Sequence, residues 1–175
     1  KRINRTLVKK GAIIDYYQDT IQLPDGSEKT YDFIDHKGAA AVVPVLPDGR
    51  IIMVRQDRNA IDNESLEIPA GGKNIGEAFD VAAMRELEEE TGYKAKNFEY
   101  LGFVYPSPGF MDEKTHIYLA TDLYPGKVNP DPDEYIDTFK MPLKELEEKI
   151  LNNEIKDAKT VVGVLKAVRI LEKRI

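Results

Sequence analysis

Cysteine is absent from the 175 residues. Disulfides, thiolate nucleophiles and cysteine-based zinc sites are thereby excluded, and a reducing compartment, the cytoplasm, is the expected setting. No apolar run approaches the roughly 20 residues a membrane helix needs. No membrane partner is expected on that ground, and no secretory signal is legible at the start. Histidine occurs twice, at His36 and His116. His116 alternates with Tyr118 as a packed strand residue does, His36 sits just ahead of Gly38, and neither has a partner that suggests zinc. Positive charge is in deficit: 25 Lys and Arg stand against 31 Asp and Glu, a net charge of −6. A sequence-blind grip on nucleic acid is therefore not expected. An anionic substrate would need local Arg or Lys, or bound cations.

What is present suits one compact domain with a small appendage. Hydrophobic residues make up 42% and charged residues 32%, a globular composition. Ala12 to Tyr17 and Thr20 to Leu23 read as short strands, Pro24-Asp25-Gly26 as a turn, and Lys29 to Ile34 as a further strand. Residues 1–37 thus form an antiparallel meander, too small to hold a core alone, and residues 38–175 the main domain. Ala39 to Leu46 and Arg50 to Arg55 flank Pro47-Asp48-Gly49 and read as a hairpin. A helix is expected from Glu77 to Thr91, with Val81, Met84 and Leu87 on its apolar stripe and Gly92 as its C-terminal glycine. Strands follow at Phe98–Tyr105 and His116–Leu123, a helix at Pro142–Leu151, and a last helix capped by Asp157. Mixed strands with a crossover helix predict a three-layer α/β arrangement.

The helix after Gly71 carries the chemistry. Glu86, Glu89 and Glu90 stand at i, i+3 and i+4, on one face. A Glu-rich run is ordinarily a solvated helix face, yet three crowded carboxylates repel one another. Arg85 reaches Glu89 on the next turn but does not neutralise the set. A hard divalent cation would, since Mg²⁺ takes carboxylate oxygens together with substrate phosphates.

The surrounding pattern is Gly71, five residues, Glu77, seven residues, Arg85-Glu86-Leu87, one residue, Glu89-Glu90, one residue, Gly92, then Tyr93. It resembles the signature of the Nudix hydrolases, departing only at Tyr93, where that family carries an aliphatic. The resemblance implies a Nudix-like α/β/α sandwich with a mixed sheet, and Mg²⁺- or Mn²⁺-dependent hydrolysis of a nucleoside diphosphate linked to another moiety. It implies that Glu86, Glu89 and Glu90 carry the metal, that Arg85 orients these glutamates, and that Glu77 is structural or a helper behind the metal ligands.

The likeness extends to the ADP-ribose pyrophosphatase branch. Tyr105-Pro106-Ser107-Pro108-Gly109-Phe110 followed by Asp112-Glu113, Glu67-Ile68-Pro69-Ala70-Gly71, Gln56-Asp57-Arg58 and Asp157-Ala158-Lys159-Thr160 are all similar to it. By that likeness the carbonyl of Ala70 is a further metal ligand, and Arg58 contacts the phosphates. Ser107, Pro108, Gly109 and Glu113 line the terminal-ribose end. An acidic loop supplies the general base, here Glu134, with Asp133 and Asp131 as alternatives because Pro132 unsettles the register. The implied reaction turns ADP-ribose into AMP and ribose 5-phosphate. The meander is implied to mediate a homodimer, where Tyr16 and Tyr17 could stack on adenine. Another nucleotide sugar, GDP-mannose or ADP-glucose, is the alternative substrate; a nucleotide-binding regulator without catalysis and a plain interaction domain are the alternatives outside enzyme chemistry.

Overall fold

The computed structural model describes residues 1–129 and 135–173. The chain opens with three antiparallel strands, β1 (Arg2–Lys10), β2 (Asp15–Gln22) and β3 (Glu28–Asp35), paired in the order β1-β2-β3. The turn between β2 and β3 closes through Gly26 N–H donating to the Leu23 carbonyl, with Gly26 at φ 84°. Two short strands expected from Ala12 to Leu23 are a single strand, β2. β1 is an addition: its residues are exposed except half-buried Arg5, so it carries no alternation between buried and exposed positions from which a strand is read.

The main domain begins with β4 (Ala39–Pro44) and β5 (Arg50–Arg58), followed by β6 (Asn63–Glu67) and β7 (Ala70–Gly72). Helix α1 (Phe79–Thr91) leads into the long antiparallel pair β8 (Tyr93–Val104) and β9 (Thr115–Pro125). β10 (Asp137–Pro142), α2 (Leu143–Leu151) and α3 (Ala158–Glu172) complete the fold. One four-stranded sheet runs β7-β4-β9-β8, with β4 and β9 parallel; a three-stranded antiparallel sheet runs β10-β5-β6.

The expected hairpin of β4 and β5 is corrected here. Its turn forms, with Leu46 N–H donating to the Arg50 carbonyl at 2.8 Å. The strands then part into different sheets, and only the bridge Val45–Ile51 joins them. Both are core strands: Ala40 to Val43 and Ile51 to Val54 are buried residue after residue. A strand covered on both faces needs two sheets and helices around it, not one partner.

Two apolar layers result. Ala82, Ala83 and Leu87 of α1 pack with Ala40, Val42, Tyr118 and Ala120 on one face of the mixed sheet. On the other face Ala41, Val43, Ile117 and Leu119 meet Ile51 and Met53 of β5, Leu146 of α2 and Val164, Ala167 and Val168 of α3. The sheet is therefore sandwiched between α1 and α3.

Candidate active site

Helix α1 ends where glycine lets it. Gly92 lies at φ 72°, in the left-handed region, and its N–H donates to the Glu88 carbonyl at 2.8 Å. The expected apolar stripe is corrected: Val81 and Met84 are 51% and 46% exposed. The buried arc is Ala82, Ala83 and Leu87 together with Glu86 and Glu90, which are only 6% and 3% exposed. Two of the three singled-out carboxylates thus face inward, toward the loop that precedes the helix.

That loop is shaped around them. Ala70 N–H donates to Glu90 Oε2 at 3.0 Å. A Cβ on Gly71 would lie 2.2 Å from Glu86 Oε1, so only glycine leaves the carboxylate its place. Arg85 holds the set together. Its Nε donates to Glu77 Oε1 (2.9 Å), its Nη1 to Glu86 Oε1 (2.6 Å) and Glu89 Oε2 (2.8 Å), and its Nη2 to the Gly72 carbonyl (2.9 Å) and Glu77 Oε2 (3.1 Å). All three guanidinium nitrogens are turned to protein oxygens. The hydrogen bond to Glu77 contributes most to raising the Arg85 pKa, against desolvation, with Glu89 and Glu86 adding to it. Arg85 in turn lowers the Glu77 carboxyl. Glu88, outside this set, pairs with Lys94 at 3.1 Å.

Among the described residues no three acidic or histidine side chains form a ready-made cluster for an ion. The donors at hand are carboxylate and carbonyl oxygens only, the set a hard cation takes. Mg²⁺ commonly binds one or two carboxylates and completes its shell with water and phosphate. By that donor chemistry the site fits such a cation.

Arg58, at the end of β5, meets buried Glu67 through two parallel bonds, Nε to Oε1 at 2.9 Å and Nη2 to Oε2 at 2.7 Å. Lys159 adds a third donor at 2.5 Å and also holds Asp157 at 3.0 Å. Burial alone would raise the Glu67 carboxyl, but the Arg58 hydrogen bond and the Lys159 charge overcome it and lower it to about 2. Asp157 caps α3 as expected, accepting from Thr160 N–H at 3.0 Å, while Thr160 Oγ1 accepts from Ile68 N–H at 2.9 Å. Glu67 and Lys159 have no role in the sequence reading beyond their place in motifs. A signal existed: Glu67 is the one charge in the apolar run Leu66-Glu67-Ile68, and a buried charge needs a partner.

Pro108 and Gly109 line a separate cavity of about 460 Å³ with Asp19, Tyr31 and Phe33 of the meander. The Ser107 carbonyl accepts from Met111 N–H at 3.1 Å, and Ile34 N–H donates to the Phe110 carbonyl at 2.7 Å, which fastens β3 to this loop. Glu113 Oε1 accepts from Thr115 Oγ1 at 3.0 Å. Tyr16 donates to Asp32 at 2.6 Å, and Tyr17 lies beside Phe33 and Arg5. His116 is a packed residue, stacked on Phe79 with ring centres 3.7 Å apart and its pKa lowered by burial and by Lys114. The structure therefore gathers Ala70, Arg85, Glu86, Glu89 and Glu90 in one place; Arg58 lines a cavity of its own but lies near enough for the Glu90 charge to act on it, and Pro108 and Gly109 line a third region. Glu134, Asp133 and Asp131 lie outside the described residues.

Comparison with known proteins places these features in a family. The model of the NUDIX domain matches residues 35–161. The chain is 37% identical over 166 residues to an ADP-ribose pyrophosphatase of Bacillus subtilis (strain 168), covering 94% of this chain and 90% of that one. It is 36% identical over 166 residues to a methanol dehydrogenase activator of Bacillus methanolicus, with the same two coverages, 94% and 90%. A crystal structure of an ADP compounds hydrolase superposes with a TM-score of 0.87 at 22% identity, over 99% of this chain and 95% of that one.

Proposed function

The chain belongs to the NUDIX domain family, and we propose on that footing that it hydrolyses the diphosphate of ADP-ribose to AMP and ribose 5-phosphate. The single observation that carries this reading is the Arg85 fork, which binds Glu77, Glu86 and Glu89 beside the Gly71 backbone. Such an arrangement holds like charges together at a fixed spot, a cost in stability that a bound cation would offset. Likeness to an ADP-ribose pyrophosphatase over most of both chains supplies the substrate.

In this reading Glu86, Glu89 and Glu90 with the Ala70 carbonyl hold Mg²⁺ or Mn²⁺. When bound, such cations screen the diphosphate and make a water acidic enough to be activated at neutral pH. The chain's residues do the rest. Glu134 accepts a proton from the water that attacks phosphorus, with Asp133 and Asp131 as the alternatives. Arg58, whose Nε and Nη2 hold Glu67, turns the remaining edge of its guanidinium to the phosphate oxygens. Ser107, Pro108, Gly109 and Glu113 border the terminal ribose, and Arg85 keeps the glutamates in register without touching substrate. Residues 1–37 form a dimerisation element on a main domain of residues 38–175. Support for this comes from Ile3, Leu7 and Val8, apolar side chains about half exposed on β1. Cytoplasmic placement is supported by the lack of cysteine. Among the described residues no helix is long and apolar enough to cross a membrane.

A second reading, a protein that regulates another enzyme, is favoured by the likeness to the methanol dehydrogenase activator, at 36% identity against 37% for the pyrophosphatase. The intact carboxylate set favours catalysis over mere nucleotide binding. The test is a Mg²⁺-dependent hydrolysis panel of ADP-ribose, ADP-glucose, GDP-mannose and a dinucleoside polyphosphate, with products separated by chromatography. ADP-ribose is expected to be the preferred substrate, and Glu90→Gln to lower kcat by at least about a hundredfold with the fold retained. Preference for another nucleotide sugar would keep the acidic-helix chemistry and reject the substrate. Absence of turnover on all four would bring the regulator reading forward.

A further inference from the structure

The buried carboxylate of Glu67 is gripped from two sides. Arg58 takes one edge through Nε and Nη2, and Lys159 approaches Oε2 from the first turn of α3. The Glu67 and Lys159 side chains are 3% and 14% exposed, whereas Arg58 remains 40% exposed along a cavity of about 680 Å³. With its Nε and Nη2 edge on Glu67, the exposed remainder of the Arg58 guanidinium is the solvent-facing end of a chain whose inner end is Lys159, with Asp157 behind it at 3.0 Å.

We propose that Lys159 is a positioning residue for Arg58, fixing the Glu67 carboxylate so that the guanidinium faces the diphosphate and keeps its charge available to it. This rests on the reading of Arg58 as the phosphate contact. The charge arithmetic gives the reason. Arg58 and Lys159 stand against Glu67, Asp157 and Glu90, whose charges all reach Arg58, a sum of −1, so the site accepts a phosphate best while both cations are in place. Without the Lys159 charge the sum falls to −2, Arg58 is left to hold Glu67 by itself, and an incoming dianion is repelled more strongly. Geometry adds to this. A carboxylate held by one fork alone rotates with it, and a fork displaced by about 1 Å loses much of its advantage in binding.

The test is steady-state hydrolysis of ADP-ribose with Mg²⁺ by the full chain. Lys159→Met is expected to raise KM about tenfold with kcat within about twofold, because ground-state and transition-state phosphates lose the same contact. Lys159→Arg, which restores charge and donors, is expected to return KM close to the parent value. Arg58→Lys is expected to raise KM by a similar factor, and the double variant Arg58→Lys with Lys159→Met by no more than the larger single effect, since one acts through the other. Effects that multiply would make Lys159 an independent contact and overturn the proposal. So would a KM unmoved by Lys159→Met alongside a lower melting temperature, which is a purely structural role. A KM unmoved by Arg58→Lys rejects the phosphate reading of Arg58 itself, and the proposal with it. Should Lys159→Met not fold, Lys159→Gln keeps a donor without the charge, and its KM is expected to rise likewise.

Discussion

The position of one carboxylate depends on the lack of one methyl group. Gly71 is fixed by its pairing with Ala40 in the sheet, and a Cβ there would stand 2.2 Å from Glu86 Oε1 and 2.3 Å from its Cδ. The backbone cannot retreat without breaking that pairing, so the Glu86 side chain is what gives way. Its rotation costs little stability but breaks its bond to Arg85. Gly71→Ala is accordingly expected to lower kcat at least about tenfold, equivalent to about 1.4 kcal/mol in the barrier, while the melting temperature falls by only about 2–4 °C. Parallel kinetics and thermal melts check this, and an unchanged kcat would show that Glu86 works from elsewhere. At this scale the sequence was legible in part. The spacing of Glu86, Glu89 and Glu90 puts them on one face, and that face is where the structure has them. Which face is buried was not legible. Val81 and Met84 outrank alanine in hydrophobicity, yet the sheet accepts Ala82 and Ala83, because small side chains let the helix come close. That closeness brings Glu86 and Glu90 under the β7 loop. Glu67 and Lys159 stayed unread for another reason: their partnership spans 92 residues, and spacing along the chain says nothing about such contacts.

At the scale of elements, the acidic helix is defined more sharply at its end than at its start. Ala78 precedes it without a side-chain cap, whereas Gly92 closes it in the left-handed region with Val128 packed against it. A Cβ on Gly92 would meet Val128 Cγ2 at 2.6 Å. Left-handed φ costs a non-glycine residue about 1–2 kcal/mol, and the contact with Val128 adds to it. Gly92→Ala is expected to destabilise the fold by about 2 kcal/mol, read from urea unfolding midpoints at constant m. A loss below about 0.5 kcal/mol would mean that the turn relaxes. Helix ends of this kind were legible, at Gly92 and at the Asp157 cap, because they rest on local chemistry. Strand partnership was not. β4 and β5 flank a proper turn but serve two sheets, and β10 escaped notice because only Phe139 and Met141 of its residues turn toward the core. Pairing is decided by which apolar faces can be covered, a property of the assembled layers.

For the molecule as a whole, Glu67 joins β5, β6 and the first turn of α3, and so links the second sheet to the last helix. Its carboxyl is lowered from the ordinary 4.5 to about 2. A depressed carboxyl favours the fold above its unfolded value, and the contribution is lost as pH falls through the folded one. The window is therefore about pH 4.5 down to 2, and the size at neutral pH is about 3 kcal/mol. Glu77, also lowered through Arg85, shifts stability in the same direction, so total acid sensitivity alone does not isolate Glu67. A difference does. Lys159→Met removes one of the two cations on Glu67, which leaves its carboxyl closer to the ordinary value. Parent and variant are expected to differ in unfolding free energy at pH 7, and the gap to narrow between pH 5 and pH 2.5, since protonation removes from the parent what the variant already lacks. Urea unfolding at pH 7, 5, 3.5 and 2.5 measures it. A gap that stays constant over that range would mean that Lys159 stabilises the fold through packing of its alkyl chain and not through the charge on Glu67.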